Sequence, residues 1–136
     1  MSVTVVVAYE GSLHCTATHG PSQQTLSTDA PVDNGGSGAA FSPTDLVAAA
    51  LGSCMLTIMG KVAQRDGLDL AGTHVSVVKE MVAQPTRRIG ALRVLVTLPS
   101  GSRLSPADRS KLEKAAAACP VKQSLHPDVQ VTVEFR

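Results

Sequence analysis

Apolar and polar positions divide this chain into segments of two periods. Val3–Tyr9 is β-branched and apolar, and Glu10-Gly11-Ser12 ends it. Leu13–Thr18 and Gln23–Thr28 follow as short strands, separated by Gly20-Pro21, so the first third predicts an antiparallel meander. Asp29–Ala40 holds Pro31, Asp33, Asn34 and Gly35, Gly36, Gly38; it is expected to be a flexible loop, disordered or a lid. Thr73–Met81 and Ile89–Leu98 read as a hairpin joined through Pro85-Thr86-Arg87-Arg88. Val129–Phe135 alternates strictly as a last strand.

The longest segment, from Phe41 to Gly67, has a helical pattern. Ser42 is a good N-cap, Pro43 suits the first helical position, and Asp45 stands where a carboxylate can return a capping bond. Gly67 can take the left-handed conformation that closes a helix. About 24 residues lie between, roughly 36 Å of helix. The first half, Leu46–Leu51, is apolar nearly all round, as in a helix buried on every side. Lys61, Gln64 and Arg65 interrupt it too early for a membrane span. Ser105-Pro106-Ala107-Asp108 repeats the cap signature and starts a second helix that ends near Cys119-Pro120. Val121–Leu125 can form one more helical turn. The order βββ–α–ββ–α–β predicts an α+β fold in one domain spanning 1–136. The first helix is more apolar than one sheet can cover, which points to a large core or, more sharply, to a dimer in which two such helices meet.

Twelve basic and eleven acidic residues give a formal charge of +1, and aromatic residues are confined to Tyr9, Phe41 and Phe135. That balance gives no footprint for nucleic acid and no attraction to an anionic membrane. Met1-Ser2-Val3-Thr4 lacks the basic head of a signal peptide, so the cytoplasm is the expected location. Cys15, Cys54 and Cys119 form no CxxC pair or Cys/His cluster, so no metal site is expected. Cys54 is mid-helix among apolar residues and reads alone as a packing residue. Cys119 sits at a helix exit, where the pKa of a thiol is raised, unless a new turn at Val121 offers it an N-terminus instead. Cys15 and His14 point to opposite faces of a strand and make no dyad. His19, His74 and His126 read as surface residues, and Gly35-Gly36-Ser37-Gly38 is no phosphate loop.

Ser42-Pro43-Thr44-Asp45-Leu46-Val47-Ala48-Ala49-Ala50-Leu51-Gly52-Ser53-Cys54 resembles the central-helix signature of the OsmC/Ohr family, the osmotically induced and organic-hydroperoxide-resistance proteins. Cys119-Pro120-Val121 resembles that family's second cysteine motif; Arg88-Ile89 and the 65-residue interval between the cysteines also fit. The resemblance implies an OsmC-like fold with a long buried central helix in an intertwined homodimer. It implies a thiol peroxidase for alkyl or lipid hydroperoxides, with Cys54 peroxidatic and Cys119 resolving, an external lipoyl-type dithiol as reductant, and no cofactor. The alternative on the same scaffold is a non-peroxidase that binds a small apolar or acyl ligand in the dimer cleft. Well-studied hydroperoxidases of the family hold an N-terminal arginine with a glutamate. Here the first arginine is Arg65, and Thr44 occupies the glutamate position with Asp45 beside it. Asp45, across a dimer, or Arg87 or Arg88 is then the candidate for charge compensation.

Overall fold

The computed structural model describes residues 1–136. The chain forms two compact units, Met1–Val47 and Ala48–Arg136. The first is a three-stranded antiparallel sheet, β1 (Val5–Tyr9), β2 (His14–His19) and β3 (Thr25–Asp29), with β2 in the middle. Register places Tyr9 opposite Cys15, and Cys15 opposite Thr28. Residues that face each other across strands share a side of the sheet. One side therefore carries Val5, Val7, Tyr9, Cys15, Ala17, His19, Leu26 and Thr28; the other carries Val6, Ala8, His14, Thr16, Thr18, Thr25, Ser27 and Asp29. The apolar side is bare in the chain: Val5, Val7, Tyr9 and Leu26 are all exposed.

The glycine-rich stretch after β3 differs from the flexible loop expected. It folds around a short 3-10 turn at Val32–Asn34 and closes through Gly36 N–H to the Pro31 carbonyl (3.0 Å) and Gly38 N–H to the Ala30 carbonyl (3.3 Å). Gly36 is needed there, since a Cβ would run into the Ala30 backbone. The backbone is satisfied internally, so the glycines make a tight turn rather than a slack one.

Helix α1 (Pro43–Asp66) starts and stops where the caps predict. Asp45 N–H donates to Ser42 Oγ (3.1 Å), and Ser42 N–H donates to Asp45 Oδ2 (3.0 Å). At the far end Gly67 has φ +69°, and Leu68 N–H reaches back to the Ala63 carbonyl. The helix passes from the first unit into the second.

In the second unit β5 (Arg88–Thr97) lies between β4 (His74–Val82), antiparallel to it, and β6 (Gln130–Phe135), parallel to it. The parallel pairing requires a crossover, which α2 (Pro106–Ala117) and α3 (Pro120–Ser124) supply. Ala48, Leu51, Gly52, Met55, Met59 and Ala63 form the buried stripe of α1, at the three- and four-residue spacing of one helix face. They join Leu92, Val94 and Val96 of β5 and Leu112 and Ala116 of α2 in the core. Gly52 lets α1 come close to β4: a Cβ there would lie 3.2 Å from Val77 Cγ2 and 3.4 Å from Val75 Cγ1. By length and composition α1 could cross a membrane. Its buried stripe of core residues identifies it instead as the helix on which this unit is packed.

The α+β class and the order of the long elements agree with the sequence pattern. The helix expected to be buried on every side is not so within one chain. Ala49, Ala50, Ser53 and Thr57 remain exposed.

Candidate functional site

Cys54 and Cys119 meet in the second unit. Cys54 stands on α1, one residue before the buried Met55, and is half-buried. Cys119 is fully buried. Pro120 stops α2 and begins α3, which leaves Cys119 as the N-cap of α3 with its Sγ accepting from Lys122 N–H at 3.4 Å. Of the two positions the sequence left open for this sulfur, the helix N-terminus is the one occupied. The two thiols lie close enough to influence one another although they are 65 positions apart.

Burial is the largest influence on the Cys119 thiol and raises its pKa above the ordinary value. The N–H groups of Lys122 and Val121 work against it, while the hydrogen bond and charge of Cys54 push the same way as burial. No arginine or lysine side chain is among the groups acting on this sulfur. Burial therefore favours the protonated form of Cys119.

The remaining residues singled out from the sequence stand apart from this pair in role. Asp45 closes the capping box of α1. Arg87 is exposed in the β4–β5 turn. Arg88 is half-buried, donates to its neighbour's carbonyl at Ile89 (3.2 Å), and lines a cleft of about 260 Å³ with Glu80, Gly90, Asp128 and Gln130. Neither cysteine lines that cleft. A larger cleft of about 430 Å³, between Gly67–Ala71 and Pro99–Leu104, also excludes them. No cluster of three or more His, Cys, Asp or Glu side chains is arranged to hold a metal. Cys15 is half-buried on the first sheet, on the same side as Tyr9 and Ala17.

One pair escaped the sequence reading. His14 Nδ1 lies 2.7 Å from Asp29 Oδ1, and the Asp29 side chain is only 6% exposed. The residues are fifteen positions apart and are joined by the β2–β3 register. Meander pairing could have revealed them had the register been worked out. Testing His14 only against its chain neighbour Cys15 could not.

A family profile described as OsmC-like protein matches residues 35–134. Among curated proteins none matches. Among solved structures, a Psychrobacter arcticus protein provisionally named as an osmotic stress induced and detoxification response protein is 42% identical. It superposes at TM-score 0.92 and covers 100% of this chain and 96% of its own. An organic hydroperoxide resistance protein OsmC from Legionella pneumophila superposes at 0.78 with 17% identity, covering 99% and 96%. One from Elizabethkingia anophelis, named an organic hydroperoxide resistance protein, gives 0.76 with 14% identity over 99% and 95%. The last two share the fold. The profile match and the Psychrobacter relative, which spans the whole chain, establish that this protein belongs to the OsmC-like family.

Proposed function

We propose that this protein is a thiol peroxidase that reduces organic hydroperoxides through Cys54 and Cys119. The observation that carries the reading is the contact between these two thiols, the half-buried one on the central helix and the fully buried one at the N-cap of α3. The Cys54 thiolate attacks the distal peroxide oxygen and the O–O bond breaks. The leaving alkoxide takes a proton to become the alcohol, and Cys54 is left as a sulfenic acid. The Cys119 sulfur then attacks the sulfenic sulfur, water leaves, and a Cys54–Cys119 disulfide forms. An external dithiol of lipoyl type returns both thiols by exchange. No metal or flavin takes part. In this reading alkyl or lipid hydroperoxides are preferred, since hydrogen peroxide has no apolar surface to bury.

The working form in this reading is a cytoplasmic homodimer. Support comes from two unpartnered surfaces of the single chain. One is the apolar side of the first sheet, with Val5, Val7 and Tyr9 at 55%, 60% and 67% exposure. The other is the outer stripe of α1, where Ala50, Ser53 and Thr57 are exposed and small enough for a second helix to approach closely.

Thiol titration before and after cumene hydroperoxide tests the proposal. The expected result is loss of two of the three free thiols per chain and a Cys54–Cys119 link by mass spectrometry. Survival of both thiols in excess oxidant, with the protein folded, would refute it. The second reading, an acyl-ligand protein without turnover, is favoured by the raised Cys119 thiol and the lack of a cation acting on it. That reading expects binding of a fatty acyl probe with all three thiols intact.

A further inference from the structure

The loop between β5 and α2 borders two clefts of the second unit, and four of its residues, Pro99, Gly101, Ser102 and Leu104, line both. The smaller cleft, about 240 Å³, brings together Arg109 from the first turn of α2 and Arg136 just past β6. Arg103 lines the larger one. Like charges gathered at one hollow repel each other unless a charge of opposite sign lies between them. No carboxylate side chain lines the smaller cleft. The acids that hold its arginines stand outside the lining: Arg109 Nε donates to Glu113 Oε1 at 3.3 Å, and Arg136 Nε to Glu134 Oε1 at 3.2 Å. Asp108, the acid in the first turn of α2, closes the capping box with Ser105. Asp69, in the larger cleft, has Oδ1 engaged by Ala71 N–H (2.9 Å).

The Nε side of both guanidinium groups is therefore satisfied, and donors remain at their outer ends. Arg109 is also fixed in place. Its Nη2 donates to the Phe135 carbonyl at 2.8 Å, a partly buried bond between residues 26 positions apart. That bond sets one arginine beside the other ahead of any ligand, which lowers the ordering cost of binding. The Arg136 carbonyl is engaged by Leu98 N–H (2.8 Å), which continues the β5–β6 pairing. Ser102 N–H is taken by the Pro99 carbonyl (3.1 Å), but the Ser102 hydroxyl has no partner in the chain. Leu98, Pro99 and Leu104 give the same cleft an apolar wall.

We propose that this cleft binds a small organic phosphate. The phosphate group takes the spare guanidinium donors and the Ser102 hydroxyl, and its carbon part lies on Leu98, Pro99 and Leu104. A planar guanidinium matches two phosphate oxygens at once, and two such forks suit a dianion better than the single charge of a carboxylate. Neither cysteine lines the cleft, so the site is independent of the thiol chemistry.

The test is calorimetric titration of the full chain with phenyl phosphate, compared with inorganic phosphate, benzoate and phenol. The variants are Arg109→Gln, Arg136→Gln and Ser102→Asp. Arg65→Gln is the control, since it removes an exposed positive charge that does not line the cleft. Circular dichroism checks the fold of each. Phenyl phosphate should bind at one site per chain, more tightly than the three comparison compounds. Arg109→Gln and Arg136→Gln should each weaken it about tenfold or more, the size of a hydrogen bond to a charged group. Ser102→Asp keeps both arginines and puts a carboxylate between them, so it should abolish binding. Arg65→Gln should change nothing. Wild type that fails to bind phenyl phosphate overturns the inference. So does binding that survives Ser102→Asp, or an equal loss in Arg65→Gln, which marks diffuse attraction to a positive surface. Inorganic phosphate, benzoate or phenol binding as tightly as phenyl phosphate overturns the ligand class. Arg109→Gln also loses the bond to Phe135; if that variant unfolds, Ser102→Asp decides the outcome.

Discussion

Gly52 is the point where the packing of the central helix is most open to measurement. Its Cβ position lies 3.2 Å from Val77 Cγ2 and 3.4 Å from Val75 Cγ1, closer than the 3.5–4.0 Å of relaxed carbon contacts. Both valines are β-branched strand residues with little χ1 freedom, and they press on the same spot from one side. In Gly52→Ala, alanine gains about 1 kcal/mol of helix propensity. Against that stands overpacking, which costs about 1–3 kcal/mol when the neighbours cannot retreat. The gain offsets only part of that cost, so Gly52→Ala should fall from neutral to about 2 kcal/mol destabilising. Gly52→Val keeps the clash, adds two methyl groups to it and forfeits most of the propensity gain. It should cost about 2–4 kcal/mol. Urea unfolding at one fixed protein concentration gives both values. A Gly52→Val protein with the wild-type midpoint would refute the close approach of α1 to β4. Cys54 is two residues further along the same helix. A helix pushed outward should also slow disulfide formation with Cys119 under oxidant, and that rate is a second readout of one displacement.

Other outcomes follow from the same geometry. Ser42→Ala removes the acceptor for Asp45 N–H and should destabilise the fold by about 1 kcal/mol in thermal or urea unfolding. Gly60 has nothing within 4 Å of its Cβ position, so in the isolated chain Gly60→Ala should add about 1 kcal/mol; a loss instead, measured with sedimentation, marks a second chain against that face. Cys119, its pKa raised chiefly by burial, stays protonated in the folded state above the pH at which an unfolded thiol ionises. Its contribution is complete below that pH and falls as pH rises through it, by at most about 1.4 kcal/mol per pH unit. The difference in stability between wild type and Cys119→Ala across alkaline pH should show this slope.

The regular elements were legible because each carries its own local signal. Ser42-Pro43-Thr44-Asp45 and Gly67 bound α1 at both ends, and the alternation of Val129, Val131, Val133 and Phe135 marks β6. Local signals do not specify what is brought together. Nothing near Cys119 says that Pro120 restarts a helix whose first N–H groups point at the sulfur; the sequence left that alternative open, and burial then decides that the thiol still keeps its proton. The glycines of 35–38 signalled freedom, yet they are used for close approach to the Ala30 and Pro31 carbonyls. His14 was weighed against Cys15, its neighbour in the chain, when its partner lies across the strand at Asp29. Periodicity fixes which face a side chain takes, but register fixes whom it meets. A protein whose chemistry depends on pairs therefore hides more of its function than of its fold. The outer face of α1 follows the same logic: the sequence showed an apolar helix, and in the single chain its small residues Ala49, Ala50, Ser53 and Thr57 are exposed.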